Sequence, residues 1–266
     1  MVLVTDGNLT FPLAATMGAA FGFQGGKAAV VVGIGYVTDD PMELVTLRTR
    51  DLTPPTPLSA IPHRPGLPPT KLEDYGGSEN FYRFLMEELL PAIAADYPLN
   101  TEDKTLYGHS WGGLFALGVL LKHPRSFRNF VISSPSICWN NRSALDDAAG
   151  YASAIQSKEV APRILILVGS KEQDVPATLP PAMTKALTKK IPFVPSALRN
   201  IAAKILVKKV MLDFSMVDNA RSLAARLQEI KGGPGYLVRF HALDGEDHLT
   251  ALSASIGRAL AFALRS

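Results

Sequence analysis

Cysteine is all but missing from this chain: Cys138 stands alone among 266 residues. No internal disulfide can form and no cysteine-ligated metal site is available. Its apolar surroundings predict a small, buried side chain. Long apolar runs are also missing. No stretch approaches the roughly 20 apolar residues that cross a bilayer, and Asp6 interrupts the N-terminal run where a signal peptide would need a clean apolar core. The expectation is a cytoplasmic chain with no stable membrane insertion. Neither sign of charge dominates, at 27 Lys plus Arg against 24 Asp plus Glu, which leaves no broad field for nucleic acid. There is no internal repeat and no low-complexity tract. One local absence stands out: from Val175 to Val210 there is no acidic residue, while Lys185, Lys189, Lys190, Arg199, Lys204, Lys208 and Lys209 all occur.

What is present is apolar substance, 47% of the residues. That is enough for one sizeable core, so residues 1–266 are expected to form one domain. Val2 to Thr5 reads as a first strand ending at the turn Asp6-Gly7-Asn8, with a helix over 12–24. Ala28 to Val37, dense in β-branched residues, predicts a buried strand. Residues 38–78 carry eight prolines and read as a long irregular excursion walling a site. Ser78 and Asn80 are cap candidates for a helix bearing Phe81, Phe84, Leu85, Leu89 and Ile93. Further strands are predicted at 104–107, 130–134, 164–168 and 236–243, with helices after Ser110 and near 216–230 and 249–264. Strands alternating with helices imply a mainly parallel sheet covered on both faces.

The chemistry centres on Gly108-His109-Ser110-Trp111-Gly112. Chance supplies Gly-x-Ser-x-Gly in roughly one chain of this length in ten, so the pattern alone decides little. Its setting decides more, because a strand enters it and an apolar helix leaves it, as an exposed nucleophilic serine requires. Serine needs a base to take its proton. His248, in Gly245-Glu246-Asp247-His248 after the last strand, stands where that base belongs in the order serine, acid, histidine. The other histidines are out of position: His109 adjoins Ser110 but faces away from it, His123 ends a helix, His241 lies inside a strand, and His63 sits in the proline-rich stretch. Gly169-Ser170-Lys171-Glu172-Gln173-Asp174 offers two carboxylates to orient the imidazole; Glu172 is preferred and Asp174 is the alternative. Backbone N–H groups of Trp111 and Asn8 are the expected donors to the oxyanion.

Leu3-Val4-Thr5-Asp6-Gly7-Asn8, Arg48-Thr49-Arg50-Asp51-Leu52-Thr53-Pro54, Gly76-Gly77-Ser78-Glu79-Asn80-Phe81, Gly108-His109-Ser110-Trp111-Gly112-Gly113-Leu114, Ser133-Ser134-Pro135-Ser136 and Gly245-Glu246-Asp247-His248 together resemble the esterase family that contains esterase D, the mycolyltransferases and the siderophore trilactone esterases. The last of these are the nearest in pattern. The resemblance implies an α/β-hydrolase fold, Ser110 as nucleophile, His248 as base and Glu172 as the acid of a Gly-x-x-Glu turn. It also implies a loop from Arg48 to Pro54 beside the pocket, with Arg48 either binding an anionic or catecholate part of the substrate or pairing with Asp51. Two departures from the pattern are expected: the usual first strands are lacking, and a basic helical insertion occupies about 175–210, as an amphipathic surface helix or a cap. An exposed strand edge would invite a homodimer. The expected activity is hydrolysis of a small-molecule carboxylic ester through an acyl-serine, without cofactor or metal. An acyltransferase with the same residues, or an inactive binding module on the same scaffold, are the competing readings.

Overall fold

A computed structural model describes residues 1–62, 71–156, 160–174, 185, 195 and 198–265. Six strands form one parallel sheet: β1 (Val2–Val4), β2 (Val31–Gly33), β3 (Thr105–His109), β4 (Asn129–Ser133), β5 (Arg163–Gly169) and β6 (Leu237–Leu243), in the order β2-β1-β3-β4-β5-β6. Side chains alternate across a strand, and here both faces are covered, so the central strands are buried at nearly every position and apolar along their middles. Leu3, Leu106, Phe130, Ile132, Ile164 and Ile166 enter one core. Val2, Val4, Tyr107, Val131, Leu165 and Leu167 enter the other.

Helix α1 (Gly7–Phe23) and the C-terminal helix cover the second face. The first face is covered by α5 (Trp111–Lys122) and by a continuous helix made of α3 (Ser78–Arg83), a π-helical turn (Phe84–Leu89) and α4 (Leu90–Asp96). Pro91 stands at the start of α4, where it offers no N–H to the carbonyl of Glu87. The short α6 (Ser143–Asp146) and α7 (Ala148–Gln156) follow β4. Between β5 and β6 lie α8 (Arg199–Phe214) and α9 (Met216–Gln228), and α10 (Thr250–Leu264) ends the chain.

Several expectations are corrected. Asp6-Gly7-Asn8 opens α1 itself: Asp6 takes the left-handed conformation at the N-cap and the helix runs from Gly7, well before 12. Ala28 to Val37 yields only the three-residue β2, half-buried at a sheet edge. The proline-rich excursion contains α2 (Pro41–Leu52), whose N-cap Asp40 accepts from the Met42 and Glu43 N–H groups ahead of Pro41 at the first helical position. Arg48 to Pro54 is therefore mostly the last turns of a helix rather than a loop. Gly77, not Ser78 or Asn80, is the N-cap of α3; the Asn80 side chain accepts from Arg83 instead. Cys138 is half-buried. Of the basic segment 175–210, α8 shows 199–210 to be helical; His63 and the rest of that segment, apart from Lys185, Pro195 and Leu198, lie outside the described residues.

The connections place the site. From β1 the chain goes to β2 on one side, then crosses to β3 on the other and continues outward. The loops leaving the carboxyl ends of β1 and β3 consequently diverge, and a crevice opens at that switch point. Asp6 and Asn8 follow β1; Ser110 follows β3.

Candidate active site

Ser110 sits at the elbow between β3 and α5 with φ 61° and ψ −116°, a strained conformation for a residue with a side chain. Its N–H donates to the Ser133 carbonyl at 3.0 Å, and its own carbonyl accepts from the Ser136 N–H at 3.2 Å. The elbow can close only because its neighbours lack side chains. A Cβ on Gly108 would lie 1.9 Å from the Gly112 carbonyl oxygen, and one on Gly112 would lie 2.2 Å from Thr5 Oγ1.

His248 reaches this serine from the loop between β6 and α10. Its Nε2 is 3.0 Å from Ser110 Oγ, and its Nδ1 is 2.6 Å from Glu172 Oε2. The Glu172 side chain has no exposure, whereas that of His248 is 48% exposed. A buried carboxylate needs donors, and Glu172 has three: Ser134 Oγ at 2.5 Å and Gly169 N–H at 2.7 Å on Oε1, and the imidazole on Oε2. The loops after β5 and β6 are cross-tied by the Ser170 N–H to Leu243, the Lys171 N–H to Glu246, and the Gly245 N–H to Ser170 Oγ. Asp174 follows in the same turn, its N–H bonded to the Lys171 carbonyl; Glu172 is the carboxylate that meets the imidazole.

Past His248, the Asp247 carboxylate accepts from the Leu249 and Thr250 N–H groups at 3.0 Å. Those bonds, with its bond to the Thr250 hydroxyl, hold its carboxyl below the ordinary carboxylate range.

Trp111 and Asn8 stand in the first turns of α5 and α1, whose N–H groups have no carbonyl a turn before them inside the helix. The Asn8 side chain is tied to the Tyr36 backbone by two bonds of 2.8 Å, one each way. Arg48 does not pair with Asp51. It makes a two-pronged ion pair with Asp6, Nε to Oδ1 at 2.7 Å and Nη2 to Oδ2 at 2.8 Å, and its guanidinium lies 4.8 Å from the centre of the Trp111 ring. Asp51 takes Arg50 instead.

Two residues near the serine were assigned no part in the site from the sequence. Ser136 Oγ lies 3.5 Å from Ser110 Oγ. His109 turns away from Ser110 as expected, but it does so into the sheet beneath His248, with the two rings 4.8 Å apart. Adjacency to the serine was the only signal in the sequence, and it does not say which loop the ring will meet.

The chain as a whole is similar to known proteins. The family model described as Putative esterase matches residues 68–197. The ferri-bacillibactin esterase BesA of Bacillus subtilis is 32% identical over 271 residues, 99% of this chain and 78% of that protein. The siderophore triacetylfusarinine C esterase of Aspergillus fumigatus is 32% identical over 98% of this chain and 80% of its own length. Among solved structures, siderophore hydrolase EstA from Aspergillus nidulans superposes with a TM-score of 0.75 at 26% identity, covering 98% of this chain and 80% of that one. The BES protein from Bacillus cereus gives 0.74 at 26% identity, over all of this chain and 84% of that one. Likeness of this extent, around a sheet of the same kind, means that the chain belongs to the esterase family of α/β-hydrolases and is a carboxylic ester hydrolase.

Proposed function

We propose that Ser110, His248 and Glu172 carry out ester hydrolysis in two steps through an acyl-serine, on siderophore-type esters. The observation that carries this reading is the unbroken chain of bonds from Ser110 Oγ through the imidazole to a carboxylate with no exposure. His248 takes the serine proton as Oγ attacks the ester carbonyl, then returns it to the leaving alcohol; water repeats the sequence on the acyl-serine. Glu172 holds the imidazole with Nδ1 protonated, so that Nε2 faces the serine as acceptor, and it balances the imidazolium that forms. The N–H groups of Trp111 and Asn8 receive the charge on the former carbonyl oxygen. With two of its donors spent on Asp6, Arg48 is better suited to holding the turn before Asn8 than to gripping substrate. The substrate class rests on three of the relatives named above, the ferri-bacillibactin esterase, the siderophore triacetylfusarinine C esterase and the siderophore hydrolase EstA.

The test is turnover of a catecholate trilactone beside a p-nitrophenyl ester series, with a fluorophosphonate to label the nucleophile. Ser110→Ala should abolish labelling and lower kcat by at least about a thousandfold, and Glu172→Gln should lower it by about a hundredfold or more. Undiminished turnover by Ser110→Ala would sink the mechanism. Failure on the trilactone with good turnover of simple esters would sink only the substrate class. Adding an alcohol acceptor and analysing products separates hydrolysis from acyl transfer.

A further inference from the structure

His109 is buried at 5% exposure yet fully engaged. Its Nε2 lies 3.0 Å from the His248 backbone oxygen and its Nδ1 lies 3.0 Å from Ser133 Oγ. A carbonyl only accepts, so Nε2 carries the proton. Nδ1 is then the acceptor, and the Ser133 hydroxyl donates to it. One neutral tautomer satisfies both contacts; the other would set a lone pair against the carbonyl.

The bond matters because of what it holds. The loop bearing His248 leaves β6, a strand at the sheet edge with exposed residues along it. The His248 ring is half exposed. Neighbouring bonds secure Glu246 to the β5 loop and Asp247 to α10, but the carbonyl of His248 itself is tied to the sheet through His109, the residue next to the serine in sequence. A single buried ring thus connects the backbone of the imidazole to the end of the strand that presents Ser110.

We propose that His109 is a positioning residue: as the Nε2–H tautomer it clamps the His248 backbone to β3 and so sets the distance between His248 Nε2 and Ser110 Oγ. This rests on the reading of His248 as the base. The clamp is also insulated from the proton it sits beside. Burial, and then repulsion from His248, lower the His109 pKa to about 3, so it stays neutral while its neighbour gains and loses a proton.

The test compares His109→Gln, whose amide nitrogen can still donate to the carbonyl, with His109→Phe, which fills the space without a donor. The Phe variant should lose kcat about 10- to 100-fold, because a misplaced base costs that order of rate, with KM changed less than about twofold. The Gln variant should stay within about threefold of wild type. The downfield proton NMR signal of His248 Nδ1–H should remain sharp in wild type and Gln and broaden in Phe. Equal kcat in Phe and wild type, or equal loss in Gln and Phe, would overturn the proposal. Nitrogen-15 spectra of the wild type need no variant: protonation of His109 on Nδ1 overturns it too. Ser110→Ala and fluorophosphonate labelling keep the two readings apart, since a failed clamp leaves both of those results intact, whereas an active Ser110→Ala removes the base reading itself.

Discussion

His109 and His248 lie 4.8 Å apart, ring to ring, and their surroundings separate them. One is buried between strands; the other stands half in solvent. For His109 this has a consequence for stability. Its pKa in the folded chain, about 3, lies below the ordinary 6.5, so between those values the unfolded chain binds a proton that the folded chain does not. Its contribution is therefore fully present above pH 6.5 and is lost as pH falls toward 3, with a slope of up to about 1.4 kcal/mol per pH unit. Urea unfolding of wild type and His109→Gln between about pH 6 and pH 4 should show a shallower loss in the variant, the other titrating groups being common to both. Parallel curves would contradict it. Nothing in Gly-His-Ser distinguishes a core histidine of this kind from an exposed one, because the carbonyl it meets arrives from 139 residues away.

At the scale of elements, the Arg48–Asp6 pair joins the last turns of α2 to the start of α1, with Trp111 of α5 under the guanidinium. Side-chain exposures of 16% and 5% place it among pairs whose disruption leaves a buried charge without a partner. Arg48→Met should cost about 3 kcal/mol or more in denaturant unfolding. It should also lower kcat, since the turn it holds presents Asn8. A loss below about 0.5 kcal/mol would show the pair to be no more than a surface contact. Helix α2 shows how local signals go unread: Asp40-Pro41 followed by Glu43 is a helix start in plain view, masked by the prolines around it. The partner of Arg48 was not legible at all. Asp51 is three residues away and Asp6 is 42, and only the helix, which turns Arg48 and Asp51 to different neighbours, makes the distant acid the near one.

At the scale of the molecule, the order β2-β1-β3-β4-β5-β6 leaves Val31–Gly33 at one border of the sheet, paired among the described residues with β1 alone. An edge of unpaired N–H and C=O groups is a template for another strand, and association through it is our proposal for the assembly of this chain. Light scattering over a range of concentrations should show growth toward a dimer. A monodisperse monomer throughout would count against it. The described helices include none long and apolar enough to cross a membrane.

The alternation of strand and helix, the elbow around Ser110 and the order of serine, acid and histidine are local or periodic properties, and the sequence by itself determined them. It also pointed to one turn for the acid, because the strand predicted at 164–168 runs directly into a segment that carries both Glu172 and Asp174. Only the tertiary structure brought Glu172 rather than Asp174 against the imidazole, gave Arg48 its partner and put His109 under His248. Each of those depends on which loops meet at the switch point of the sheet, and that meeting is produced by packing two apolar faces rather than by any residue's neighbours in the chain.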